Sequence, residues 1–186
     1  MELYFIRHGE TEANLDSTKP AILTKEGNKQ VEILSNYLKD EKVDLILSSD
    51  LERAKLTAQM IKEINTSNPQ FKITSELQEI YRLIVGDKPK EGTRPNRFEE
   101  DYQRADNFYK KLLKSNHKKI FIISHGNIMK FFIAKALNID PKFTKNITLD
   151  PSSITKFIVN ESVEIKYINN TNHLEKEYLN KTIYAE

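Results

Sequence analysis

Cysteine is missing altogether from the 186 residues, which excludes disulfides, thiol nucleophiles and cysteine-ligated metals. Long hydrophobic runs are missing too. The longest apolar stretch, 128–137, is well short of the about 20 residues that span a bilayer and is interrupted by Lys130 and Lys135. An excess of one charge sign is also absent: 29 Lys and Arg stand against 27 Asp and Glu, a formal net charge of +2. With no arginine stripe and no ladder of aromatic and basic residues, nucleic acid is not an expected partner, and neither is a membrane. The opening MELYFIRHGE has an apolar run of four residues followed at once by charge. It does not have the form of a secretory signal, so a cytoplasmic location is expected. Internal repeats and low-complexity linkers are absent, and a single domain over 1–186 is expected.

What is present suits a water-exposed globular chain: 38% hydrophobic and 30% charged residues. Short apolar runs alternate with helical patterns, the mark of an α/β fold with a mostly parallel sheet. Strands are expected at 3–6, 45–47 and 120–123, with a short edge strand around Ile73. Thr24 is placed to cap a helix whose apolar face carries Val31, Leu34, Tyr37 and Leu38. Further helices are expected at about 51–64, with Leu51, Ala54, Ala58, Ile61 and Ile64 at helical spacing, at about 98–113, and at 128–137. Two alternating runs, 154–159 and 163–168, read as a closing antiparallel hairpin. The expected architecture is a three-layer α/β/α sandwich with a small cap at about 80–104.

Three of the strands end in reactive residues. The first runs into Arg7-His8-Gly9-Glu10-Thr11, the second into Ser48-Ser49 with Arg53 just beyond, the third into Ser124-His125-Gly126-Asn127. In an open parallel sheet, ligands bind outside the carboxyl ends of the strands, so all three clusters fall on one edge. Two arginines and two histidines near helix N-termini form a concentrated anion site, and phosphate can engage several of these donors at once. An unprotonated histidine can attack phosphorus, and positive neighbours keep imidazole unprotonated. Glu79, just before an irregular loop, is the candidate acid for the leaving oxygen and then base for water.

The stretch Leu3-Tyr4-Phe5-Ile6-Arg7-His8-Gly9-Glu10-Thr11-Glu12-Ala13-Asn14 resembles the signature of the histidine phosphatase superfamily, in its phosphoglycerate mutase-like branch. Residues 48–58, 123–126 and Asn170-Thr171-Asn172-His173-Leu174 are similar to its later blocks, so the likeness spans nearly the whole chain. The resemblance implies a phosphorylated nucleophile at His8, phosphate ligands at Arg7, Arg53 and His125, a further phosphate contact at Asn14, and a proton donor at Glu79. It implies no metal and no cofactor. Glu79 and His125 are closer than in the family's mutases, so only a small cap fits between them.

The expected function is therefore hydrolysis of a small phosphomonoester through phosphohistidine. A protein phosphohistidine phosphatase and, behind it, a phosphoglycerate mutase are the alternatives. Residues 82–97 hold Arg82, Lys88, Lys90, Arg94 and Arg97 against Asp87 and Glu91. That local excess reads either as an ordinary exposed loop or as a positive lid that attracts an anionic substrate. Oligomeric state is not legible.

Overall fold

Alternation along one strand sorts the molecule into layers. In β1 (Glu2–Arg7), Leu3 and Phe5 enter one hydrophobic cluster, while Tyr4 and Ile6 enter another. Successive side chains of a strand point to opposite faces, so a strand buried throughout must be covered on both sides. The computed structural model, which describes residues 1–12, 21–80 and 97–179, supplies both covers. On one face lie α1 (Lys25–Leu38) and α2 (Glu52–Ile64), which contribute Leu34, Leu38, Ala54, Ala58 and Ile61. On the other lie α3 (Arg97–Leu112) and α4 (Gly126–Leu137), with Phe108, Tyr109, Leu112, Ile128, Phe131 and Phe132. Phe132 touches Phe5, Phe108 and Tyr109. Truncating such a ring to alanine costs about 3–5 kcal/mol.

The sheet comprises β1, β2 (Leu45–Ser49), β3 (Gln70–Thr74), β4 (Lys119–Ser124), β5 (Ile154–Val159) and β6 (Val163–Asn170), in the order β3-β2-β4-β1-β5-β6. The first four are parallel to one another, and the β5–β6 hairpin adds antiparallel at the β1 side. This is the expected three-layer sandwich. Register decides where its chemistry sits: Arg7 pairs with Ser124, and Ser48 pairs with Ile123. The carboxyl ends of β1, β2 and β4 are therefore level. The chain leaves β1 toward β2 and leaves β4 toward β5, so β1 and β4 flank a topological switch point.

Several details differ from the sequence-based expectation. The last helix begins at Gly126 instead of 128, and His125 is its N-cap residue. Tyr37 and Ile64 are exposed at 55% and 41%, outside the apolar faces assigned to them. The buried stripe of α1 runs through Gly27, Gln30, Val31, Leu34, Ser35 and Leu38, and Tyr37 falls off it to stack on His173. Ile64 is the final residue of α2, and the buried face of that helix ends at Ile61. Of the expected cap, 81–96 lies outside the described residues, as does most of the basic segment, while Arg97 and the residues to 104 belong to α3.

Candidate active site

Backbone bonds lock the end of β1 from two sides. The His8 N–H donates to the Ser124 carbonyl (3.1 Å), and the Arg7 N–H to that of Ser153 (3.1 Å). Ser152 has a left-handed backbone (φ 59°) and donates its N–H to the carbonyls of both Arg7 (3.1 Å) and His8 (3.2 Å). Beyond His8 the chain presses on α1. A Cβ on Gly9 would lie 2.7 Å from Val31 Cγ2, and one on Gly27 would lie 2.1 Å from the Glu10 carbonyl oxygen. Only glycine permits that approach at these two positions. The Gly9 N–H donates to Thr57 Oγ1 (3.2 Å), whose hydroxyl donates to the Arg53 carbonyl (2.8 Å). One threonine thus ties the first cluster to the helix that carries Arg53.

His8 is 3% exposed and His125 is fully buried, with their rings 5.1 Å apart. His8 Nδ1 lies 2.7 Å from the Gly9 carbonyl oxygen. A carbonyl can only accept, so Nδ1 carries the hydrogen and Nε2 keeps its lone pair. That lone pair receives the Arg53 Nε hydrogen at 3.1 Å. Arg7 reaches the Leu149 carbonyl through Nη1. His125 Nε2 is 2.9 Å from Ser49 Oγ, while its buried Nδ1 has no partner among the described residues.

Burial is the largest cause holding the His8 imidazole well below its ordinary range, followed by His125, Arg7 and Arg53. Burial, then Arg53 and Arg7, does the same to His125. Sequence reasoning named the positive neighbours and missed the larger effect of desolvation.

Glu79 occupies the N-terminus of α4. Its carboxylate accepts the N–H groups of Asn127 (3.2 Å) and Ile128 (3.0 Å), and that of Ile80 (3.0 Å). This helix end therefore holds a protein carboxylate, where the sequence alone suggested a place for the ligand. Burial raises the Glu79 pKa, opposed by those three N–H donors and by Arg7. The segment that carries Glu79 is itself clamped. Arg104 Nη1 donates to the carbonyls of Glu76 (2.8 Å) and Gln78 (2.9 Å), and Nη2 donates to Asp101 (3.0 Å). Ser124 Oγ donates to the Leu77 carbonyl (2.8 Å) from below. Between Arg7 and Glu79 opens a cavity of about 130 Å³, lined also by Gly126, Asn127, Lys130 and Leu149.

Arg7, His8, Arg53, His125 and Glu79 are thus brought to one edge of the sheet. Asn14 lies outside the described residues. Arg104 and Lys130 were missed. Arg104 reads in sequence as a solvated helix residue, and nothing local marks it. Lys130 carries a signal, being a charge on an otherwise apolar helix. Among the described residues no three His, Asp or Glu gather as a metal-holding group, and no helix is long and apolar enough to cross a membrane.

Comparison with known proteins finds likeness over most of the chain. Residues 3–92 and 72–171 match the family model described as histidine phosphatase superfamily (branch 1). The chain is 26% identical over 187 residues to an adenosylcobalamin/alpha-ribazole phosphatase of Escherichia coli, covering 87% of this chain and 91% of that one. It is 27% identical over 195 residues to the mitochondrial serine/threonine-protein phosphatase Pgam5 of Drosophila virilis, covering 97% of this chain and 67% of that one. Among solved structures, a phosphoserine phosphatase mutant from Entamoeba histolytica in complex with phosphoserine superposes with a TM-score of 0.72 at 25% identity, covering 94% of this chain and 99% of that one.

Proposed function

The chain belongs to the histidine phosphatase superfamily, branch 1, and from that premise we propose that it hydrolyses small phosphomonoesters through a phosphohistidine on His8. The observation that carries this reading is the fixed His8 ring: Nδ1–H is spent on the Gly9 carbonyl, and the Nε2 lone pair faces Arg53. An incoming phosphoryl group takes over the Arg53 guanidinium and frees Nε2 to attack phosphorus. The bond to the ester oxygen breaks as the N–P bond forms, and the Glu79 carboxyl gives its proton to that oxygen. In the second step the Glu79 carboxylate takes a proton from water. The hydroxide so formed attacks phosphorus, the N–P bond breaks, and neutral His8 returns with inorganic phosphate.

Each neighbour has a part in charge bookkeeping. Arg7 and Arg53 meet the equatorial oxygens, where negative charge spreads in the transition state. The orphan Nδ1 of His125 is a ready donor to a third oxygen. The Gly9 carbonyl supports the positive imidazole of the intermediate. These groups supply the needed charge without a metal, and no cofactor takes part. Asn14 is assigned as a further phosphate contact by family resemblance. We assign 1–186 to one domain with a small cap at about 80–104, and a small metabolite in preference to a phosphoprotein, by likeness to the adenosylcobalamin/alpha-ribazole phosphatase that the chain matches over most of both lengths.

The test is chemical trapping. Wild-type enzyme quenched during turnover of a labelled ester should carry acid-labile, base-stable phosphate, and His8→Ala should lose both the label and turnover. Full activity in His8→Ala would end the covalent reading. A panel that includes phosphohistidine peptide separates metabolite from protein substrates.

A further inference from the structure

We infer that Ser49 is the positioning residue for His125: its hydroxyl donates to Nε2, fixes the Nδ1–H tautomer of the neutral ring, and so makes that ring a hydrogen-bond donor to a phosphoryl oxygen. This deepens the reading just given and rests on it. Neither serine at the end of β2 has a part in the two chemical steps. Register places one of them beside the chemistry. Ser48 pairs with Ile123 of the neighbouring β4, so Ser49 stands level with Ser124, one residue before His125. Successive side chains of a strand point to opposite faces. Ser48 Oγ turns back to the Ser49 carbonyl (2.8 Å), while Ser49 Oγ meets the His125 ring at 2.9 Å.

Counting hydrogens decides which group donates. Ser49 and His125 are both fully buried. Burial, with Arg53, Arg7 and Arg104 around it, keeps the His125 ring neutral at ordinary pH. A neutral imidazole has one N–H and one lone pair, and its partners set which nitrogen carries the hydrogen. Ser49 Oγ already accepts the Leu51 N–H (3.3 Å). If Nε2 donated to Ser49, the serine hydrogen would have no acceptor among the described residues, and Nδ1 would be a bare lone pair. With the serine as donor, its hydrogen is used on Nε2, and Nδ1–H is the one group left open. This arrangement leaves one buried group unmet instead of two, and each unmet group carries a desolvation cost.

The two histidines, with rings 5.1 Å apart, are thereby given opposite roles by one partner each. The Gly9 carbonyl can only accept, so it fixes Nδ1–H on His8 and leaves Nε2 as a lone pair for phosphorus. The Ser49 hydroxyl can donate, so it fixes the lone pair of His125 at Nε2 and leaves Nδ1–H for oxygen. A phosphoryl oxygen accepts from that N–H, and it would be repelled by a bare Nδ1 lone pair. Ser49 acts on the phosphoryl group through the ring.

Nitrogen NMR on isotope-labelled histidines reads the tautomer directly, with His125→Asn identifying the signals of that ring. The wild type should show a protonated Nδ1 and an unprotonated Nε2. Ser49→Ala should lose that preference, and its kcat/KM for p-nitrophenyl phosphate should fall about ten- to a hundredfold, less than for outright loss of a fixed donor. Ser49→Thr, which keeps the hydroxyl, should keep both. An asparagine amide can place a donor near the position of Nδ1 and has no tautomers. In the His125→Asn background, Ser49→Ala should therefore cost almost nothing more, whereas a merely structural role would cost the same in both backgrounds. Melting curves report whether each variant is folded, and the wild-type spectrum decides the tautomer even if Ser49→Ala is not. An Nε2–H tautomer in the wild type, an unchanged tautomer in Ser49→Ala, or equal rate losses in the two backgrounds overturns the proposal. The tautomer is measured without substrate. Full activity in His8→Ala would instead sink the reading on which the proposal rests, and would leave the measured tautomer as it is.

Discussion

Arg53 Nε donates a hydrogen bond to Nε2 of His8 at 3.1 Å, so the arginine occupies the lone pair proposed as the nucleophile. The contact keeps the ring neutral, since a protonated Nε2 could not accept it. Arg53→Ala removes this contact and one phosphoryl ligand together. We expect kcat/KM to fall by about 10²–10³-fold, the usual size for loss of one fixed donor to transition-state charge. The acid limb of the pH profile should also move up, because Arg53 is one of the groups that depress the His8 pKa. A rate loss without that movement would mean Arg53 acts on phosphate alone.

Both buried histidines have pKa values well below 6.5, chiefly from desolvation. Activity that needs neutral His8 should therefore persist as pH falls through 6.5. Stability behaves differently. Below about 6.5 the unfolded chain takes up protons on these side chains that the folded one refuses, so unfolding becomes easier. Each histidine costs at most about 1.4 kcal/mol per pH unit over that window. Melting temperature should be flat above about pH 7 and fall below 6.5, with a shallower fall in His8→Ala. Equal slopes in the two proteins would show that His8 is protonated in the folded state.

Glu79 is held by three backbone N–H groups and has a raised pKa through burial. Glu79→Gln should cut hydrolysis of an alkyl phosphate by about 10²–10⁴-fold, the usual worth of a general acid. Loss on p-nitrophenyl phosphate should be much smaller, because that leaving group is a stable anion. Inhibition by inorganic phosphate should survive. Equal loss on both substrates would mark Glu79 as structural, or as a base needed only for dephosphorylation.

Arg104 donates to the Glu76 and Gln78 carbonyls and sits on Asp101, so it positions the acid without touching the proposed phosphate site. In Arg104→Gln the alkyl ester should lose about ten- to a hundredfold, in keeping with a small misplacement of a catalytic group. As with Glu79→Gln, p-nitrophenyl phosphate should lose less. A merely structural role would lower the melting temperature and reduce both rates alike.

Incubation with EDTA should leave turnover of every ester unchanged, because the arginines supply the positive charge a metal would otherwise bring. Strict dependence on added Mg²⁺ or Mn²⁺ would refute the proposed mechanism.

The sequence by itself determined the layered fold and the convergence of Arg7-His8, Arg53 and His125 on one edge. Both follow from local rules: strand and helix periodicities repeat within a few residues, and parallel strands deliver their carboxyl ends to one side. It also marked Glu79 as the candidate acid, though not what that carboxylate touches. Only the tertiary structure decided that Glu79 binds the N–H groups of Asn127 and Ile128, 48 and 49 residues away. The same holds for the Arg104 clamp on the Glu76 and Gln78 carbonyls, and for the Ser152 N–H that steadies the end of β1. The exposure of Tyr37, off the buried stripe of α1, and of Ile64, the last residue of α2, was likewise decided by packing. The physical reason is common to all four. A hydrogen bond or a boundary of burial between distant segments leaves no periodic trace in either one, and backbone acceptors carry no side-chain identity for a sequence to display.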